Sequence, residues 1–153
     1  PSEYKHFVAE AGVDGRRIKV LDVGTGTGIL AMAAVLLGAD EALGIDIDDE
    51  AVRVAGENIK KNGLDQKISI RKGDLMAGVD YIPDIIVANL MADLVIMLSP
   101  AAAAQLRPGG IYITSGILDV KESVVKKAIE DAGFDIIEML ADGEWRAIAA
   151  LRR

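Results

Sequence analysis

The sequence predicts an α/β fold: a seven-stranded, mostly parallel sheet with its last strand antiparallel and helices on both faces. Three observations carry that expectation. Short β-branched runs, apolar on both faces, alternate with segments of helical period, the pattern of a sheet covered on each side. The first such run ends in a glycine-rich bend, Gly24-Thr25-Gly26-Thr27-Gly28. The last two runs, 134–140 and 145–151, are joined only by Ala141-Asp142-Gly143-Glu144. A link that short cannot make a parallel crossover, so the pair is an antiparallel hairpin.

Each element follows from its own signals. Residues 2–12 place Tyr4, Phe7, Val8 and Ala11 on one helical face, and Gly12 stops the helix. Residues 18–23 read as the first strand, and 29–37 as an almost wholly apolar helix closed by Gly38. A second strand over 42–46 leads to a helix over 49–62. Asp48, Asp49 and Glu50 lie at its positive end, with Asp48 as the cap, and Lys60, Lys61 and Gly63 close it. Further strands read at 67–70, 84–88 and 111–114. Helices read at 91–106, stopped by Pro108-Gly109-Gly110, and at 120–132, stopped by Gly133. The expected sheet has six strands in one direction and the last reversed. No repeat or linker divides the chain, so residues 1–153 read as one domain, with a helix and lead-in over 1–16 and a terminal hairpin over 134–151.

Composition narrows the function. Of 153 residues, 51% are apolar and 4% aromatic, so the core is aliphatic. A net charge of −7 argues against direct nucleic-acid binding, which needs clustered Lys and Arg, and suits a basic partner or a small molecule. The absence of cysteine excludes disulfides, zinc–thiolate sites and cysteine nucleophiles. The single histidine, His6, excludes a histidine-rich metal cluster and reads as solvated. No apolar run approaches the ~20 residues of a membrane span. The chain opens on Pro1 without a basic-then-apolar leader, which suggests a cytoplasmic protein, processed or excised from a longer one. Trp145 is expected to pack the hairpin, and Lys60, Lys61, Lys126 and Lys127 to lie on solvated helix faces.

The chemistry concentrates in four elements. The first is Asp22-Val23-Gly24-Thr25-Gly26-Thr27-Gly28 between the first strand and its helix. Glycines there let the chain bend and a ligand approach the backbone, and the helix N-terminus favours a carboxylate or phosphate. The dinucleotide fingerprint G-x-G-x-x-G is not met, because position 29 is Ile, and no Gly-Lys-Ser/Thr completes a P-loop. The second is Asp46, ending the second strand 24 residues after Asp22. An acid there can accept hydrogen bonds from both ribose hydroxyls; the alternative is a turn, for which Asp48 and Asp49 already supply caps. Ile47 beside it can cover one face of an adenine. The third is Gly73-Asp74-Leu75, where Asp74 can accept from an adenine amino group and Leu75 or Met76 can close the apolar slot, though Gly-Asp is also a common turn. The fourth is Asn89, at the carboxyl end of the fourth strand. Residue type alone suits Asn89 equally to a helix N-cap, and its position favours substrate.

These elements in this order, with Leu106-Arg107-Pro108-Gly109-Gly110 before the fifth strand and the closing hairpin, resemble the class I methyltransferases, whose glycine loop reads D-x-G-x-G-x-G. The resemblance covers about residues 17–153 and implies a Rossmann-like fold and S-adenosyl-L-methionine as cofactor, released as S-adenosyl-L-homocysteine. Within that class the chain is most similar to the PrmA family, which methylates amino groups of large-subunit ribosomal protein eleven. The motifs that carry this likeness are Gly44-Ile45-Asp46-Ile47-Asp48, Val87-Ala88-Asn89-Leu90-Met91-Ala92, Thr114-Ser115-Gly116-Ile117-Leu118 and Glu144-Trp145. Enzymes that methylate nucleobases or glutamine amides usually carry Asn-Pro-Pro and an aromatic at the fourth element; Asn89-Leu90-Met91-Ala92 departs from that.

The resemblance implies that Asp22, Gly24, Thr25, Gly26 and Gly28 belong to the cofactor site, Thr25 lying near the methionine carboxylate. It further implies that Asp46 and Ile47 hold the ribose and adenine, that Asp74 and Leu75 complete the adenine slot, and that Asn89 both borders the cofactor and, as the catalytic residue, orients the acceptor nitrogen. The implied partner is a basic ribosomal protein. Residues 1–17 contain neither the family's amino-terminal recognition domain nor its Gly-Thr…His…Thr-Thr segment, so the likeness is to the catalytic half. Two alternatives stand beside this one: a class I methyltransferase for a small molecule or RNA, and a cofactor-binding module inactive without a recognition domain.

Overall fold

The computed structural model describes residues 15–153; the helix expected over 2–12, with His6, lies outside them. In chain order the elements are β1 (Lys19–Val23), α1 (Ile29–Leu36), β2 (Glu41–Asp46), α2 (Asp49–Lys61), β3 (Ile68–Lys72), β4 (Ile85–Asn89), α3 (Ala92–Gln105), β5 (Ile111–Leu118), a 3-10 turn (Asp119–Lys121), α4 (Glu122–Asp131), β6 (Phe134–Asp142) and β7 (Trp145–Arg152). The strands form one sheet in the order β3-β2-β1-β4-β5-β7-β6. β1 to β5 pair in parallel, and β7 is antiparallel to both β5 and β6. Six strands therefore share one direction and β7 is reversed, as the short link between β6 and β7, Gly143-Glu144, requires.

Alternation along each strand divides the core into two layers. Leu21, Val23, Ile45 and Ile86 meet Val95 and Leu98 of α3 and Val125 and Ile129 of α4 on one face. Val20, Ile85, Val87 and Ile113 meet Ala31, Ala34 and Val35 of α1 and Ile59 of α2 on the other. With both faces covered, the sheet's open chemistry lies at its strand ends. β1 lies between β2 and β4, so the chain leaves β1 in one direction and returns on its other side at β4. Open α/β sheets bind ligands at that reversal.

Asp48 caps α2 as expected, accepting from the Glu50 N–H at 3.0 Å. Most boundaries shift by one or two residues, and two differences have a visible structural cause. β5 runs to Leu118 rather than ending at Thr114, because Ile117 and Leu118 pair with Arg146 and Trp145 of β7 past a register shift between Thr114 and Ile117. The helix expected from 120 starts as the 3-10 turn and becomes α-helical at Glu122. No helix among the described residues is long and apolar enough to cross a membrane.

Candidate functional site

The glycine loop after β1 bends back over the end of β2. The N–H groups of Gly24 and Thr25 both donate to the Ile45 carbonyl, at 2.8 and 2.9 Å. Gly26 has φ 55°, and a Cβ built there would meet nothing within 4 Å, so this stretch of backbone faces open space. At Gly24 (φ 73°) a Cβ would collide with Leu90, which packs the loop against the segment after β4. The loop is thus left-handed and bare where a ligand can approach and tightly packed where it cannot.

Asp22 is sealed beneath this loop, 1% exposed. One carboxylate oxygen, Oδ2, accepts from Thr25 Oγ1 at 2.7 Å and from the Ala31 N–H, in the first turn of α1, at 3.2 Å. The other, Oδ1, has no hydrogen-bond partner among the described residues. Burial raises the pKa to about 6; the hydrogen bonds from Thr25 and Ala31 oppose this, and the charge of Asp46 adds to the rise. Two neighbouring carboxylates with one orphaned oxygen make a negative field at the loop, which favours a cationic ligand above it.

Because the carboxyl of Asp22 titrates above its ordinary 3.8, its charge opposes folding at neutral pH. That cost is fully present above about pH 6 and is relieved as pH falls toward 4; its full size is about 3 kcal/mol. In urea unfolding from pH 7 to 4, the wild type should gain stability relative to Asp22→Asn as pH drops through about 6. A difference that stays constant over that range contradicts the buried charge.

Asp46 stands at the end of β2, joined to two neighbouring elements. Its Oδ2 accepts from Gly26 N–H at 2.9 Å and its Oδ1 from Asp48 N–H at 3.0 Å, while its backbone carbonyl accepts from Gly73 N–H at 2.9 Å. The glycine loop and the Gly73-Asp74-Leu75 turn therefore share this residue. Ile47 is 63% exposed beside it. Asp74 is exposed, Met76 is buried, and Leu75 packs partly on the core with φ 50°. A leucine in the left-handed region is strained by roughly 1–3 kcal/mol. Leu75→Gly exchanges that strain for lost packing, so urea unfolding should find stability within about 1 kcal/mol of wild type. A loss of the roughly 2–5 kcal/mol typical of core leucine truncation contradicts the strain.

Asn89 ends β4 with its side chain exposed and without a hydrogen bond among the described residues. It is not the helix cap: α3 has Met91 at that position, with no side-chain cap bond. Its Oδ1 lies against Gly116 of β5, where any Cβ would collide with it, and the next N–H, of Leu90, donates to the Ser115 carbonyl at 3.2 Å.

The structure thus brings Asp22, Gly24, Gly26, Gly28, Asp46, Ile47, Asp74 and Leu75 around the ends of β1 and β2, with Asn89 beside them at the end of β4. Thr25 has a buried side chain, its hydroxyl donates to Asp22 and its N–H donates to the Ile45 carbonyl. Trp145 is placed otherwise than expected. It begins β7 but is 50% exposed rather than packed in the hairpin, because it lies at the sheet's open end. Lys126 and Lys127 lie exposed and paired with Glu130 and Asp131. Sequence reasoning quoted Leu90 and Gly116 only within the motifs of the resemblance and gave neither a role in the site. No group of three or more potential metal ligands occurs among the described residues.

The family model described as "Ribosomal protein L11 methyltransferase (PrmA)" matches residues 8–153. The ribosomal protein L11 methyltransferase of Heliobacterium modesticaldum is 47% identical over 133 residues, which is 87% of this chain and 42% of that protein. That of Pelotomaculum thermopropionicum is 44% identical over 131 residues, 86% of this chain and 42% of that protein. The chain therefore spans less than half the length of these curated relatives. Among solved structures, the ribosomal protein L11 methylase of Lactobacillus delbrueckii subsp. bulgaricus superposes with a TM-score of 0.88 at 35% identity, covering 99% of this chain and 78% of that one.

Proposed function

The chain belongs to the ribosomal protein L11 methyltransferase (PrmA) family, and from that premise we propose that it binds S-adenosyl-L-methionine and methylates amino groups of a protein, a basic ribosomal protein of the L11 kind. The observation that carries the reading is the sealed, half-unpartnered Asp22 beneath an open glycine loop with Asp46 beside it. That field suits a ligand whose sulfonium and ammonium are both cationic.

The residues fit the cofactor part by part. A carboxylate has about four acceptor sites; the N–H groups of Gly26 and Asp48 occupy two on Asp46, and the rest are available to ribose hydroxyls. Ile47 and Leu75 offer apolar surface to adenine, and Asp74 an acceptor for its amino group. When bound, the cofactor supplies an electrophilic methyl on sulfur and leaves as S-adenosyl-L-homocysteine.

Asn89 acts on the acceptor. Its unused amide oxygen accepts from an incoming amine and holds the nitrogen lone pair toward the methyl. A lysine has an ordinary pKa of about 10.4 and must shed a proton before it attacks. The chain's contribution is then alignment, which converts an encounter into an oriented reaction. The acidic surface suits a basic protein and not a nucleic acid, and the cytoplasm is where such an acceptor is met.

A second reading keeps the cofactor site and drops independent catalysis: a module that needs the rest of a longer protein to bring the acceptor. Incubation with methyl-labelled cofactor and purified ribosomal proteins or RNA separates the readings. Label in a ribosomal protein is the expected result. Cofactor binding without label favours the module, and label in RNA alone contradicts protein methylation.

A further inference from the structure

We propose that Asn58 of α2 is a positioning residue for the cofactor. Its side-chain amide donates to the Thr27 carbonyl at 3.0 Å, which holds the far half of the glycine loop against the helix that starts beside Asp46. Asn58 acts through the loop and not on the ligand. The proposal rests on the cofactor-binding reading above, in which Asp46 and the adenine slot take the adenosine and the glycine loop takes the charged amino-acid end.

Three observations support that role. The first is the face of α2 that meets the loop. Ala55, Asn58 and Ile59 are spaced to share one side of a helix. A Cβ built on Gly28 would stand 3.4 Å from the Ala55 Cβ and 3.5 Å from the Ile59 Cδ1, so the bare backbone of Gly28 lies flat on that side and Asn58 reaches the residue before it. The second is residue type. Asparagine is disfavoured inside a helix, because its amide competes for backbone groups. Asn58 gives α2 no gain in helix propensity, and its amide is spent on the loop. The third is how the loop is tied. Its near half is anchored to β2: the Gly24 and Thr25 N–H groups donate to the Ile45 carbonyl and the Gly26 N–H to Asp46. Beyond Gly26, the peptide joining Thr27 to Gly28 is held at both ends. The Gly28 N–H donates to the Thr25 carbonyl at 2.9 Å, and the Thr27 carbonyl accepts from Asn58. A planar peptide with both polar groups engaged cannot turn over, so the chain entering α1 keeps its direction toward the ligand. At its other end α2 begins at the Asp48 cap, whose N–H donates to Asp46 at 3.0 Å. One helix therefore sets the spacing between the ribose-binding acid and the far half of the loop.

Calorimetric titration of wild type, Asn58→Ala and Asn58→Leu with S-adenosyl-L-methionine and with methylthioadenosine tests this. Methylthioadenosine keeps the adenosine and lacks the charged amino-acid end, so it draws on Asp46 and the adenine slot but not on the far half of the loop. Asn58→Ala should weaken S-adenosyl-L-methionine about five- to tenfold, the loss of one hydrogen bond, and methylthioadenosine by less than about twofold. Asn58→Leu, similar in bulk but without the donor, should lose as much as alanine. The urea midpoints of both variants should stay close to wild type, because alanine and leucine are better helix formers. In the free protein, amide exchange at Gly28 should quicken severalfold in both variants while that of β2 stays unchanged. Equal losses for the two ligands, wild-type affinity in either variant, unchanged exchange at Gly28, or weakening that follows a lowered urea midpoint overturns the positioning role. The two failures are distinguishable. Wild type that binds neither ligand removes the cofactor reading and the proposal with it; wild type that binds S-adenosyl-L-methionine, with variants that bind it equally well, removes the role of Asn58 alone.

Discussion

Asp46→Ala should weaken S-adenosyl-L-methionine binding on the order of 100-fold, about 3 kcal/mol. The size follows from two contributions. Hydrogen bonds to a charged acceptor contribute roughly 1.5–3 kcal/mol each, and a ribose offers two hydroxyls to this carboxylate. The substitution also frees the Gly26 N–H, now held at 2.9 Å, so the loop loses its tie to β2 at the point where it is most open. Folding should suffer far less, because Asp46 is only half-buried and water can satisfy the freed N–H groups. Asp46→Asn retains one acceptor oxygen and should fall between, near tenfold. Calorimetry of the three proteins checks this, and an alanine variant within threefold of wild type contradicts the ribose contact.

Asn89→Ala should leave cofactor affinity within about twofold of wild type and reduce methyl transfer to ribosomal protein L11 on the order of 100-fold, the effect of losing about an ångström of reactant alignment. The split between binding and turnover is the diagnostic, since Asn89 stands on β4, off the loop and off β2. Gly116→Ala makes the same test from a distance. Its methyl group would occupy the space of the Asn89 amide oxygen, at a φ of 79° that disfavours alanine. Turnover should fall comparably, with a stability loss of roughly 1–3 kcal/mol. Assay with labelled cofactor alongside calorimetry decides it: equal losses in binding and turnover would move Asn89 into the cofactor site.

Much of the fold was legible because its signals are local or arithmetical. The strand–helix alternation is written in periodicity, and a four-residue link between two strand runs forces the reversal of β7 whatever surrounds it. The part that escaped depends on distant partners. The fifth strand reads as ending at Thr114, yet β5 continues past Gly116 because Arg146 and Trp145 of β7 supply pairing partners. The same irregularity sets Gly116 under Asn89.

The site divides along a similar line. Placing Asp22, Asp46 and Asn89 at strand ends needed only the order of elements, but what each does locally needed the third dimension. Thr25 turns inward because β2 carries Gly44, whose missing side chain leaves the space that Thr25 fills. The two uses of Asn89, cap or acceptor contact, are equal in local chemistry and are separated only by Met91 taking the cap position. Trp145 reads as core by residue type, whereas its exposure depends on how far β5 extends beside it.

The most direct test is a calorimetric titration of the chain with S-adenosyl-L-methionine, with NAD as the comparison. One site for S-adenosyl-L-methionine and no heat from NAD is the predicted result. Binding of NAD, or of neither ligand, would contradict a methyltransferase cofactor site built on Asp22, the glycine loop and Asp46.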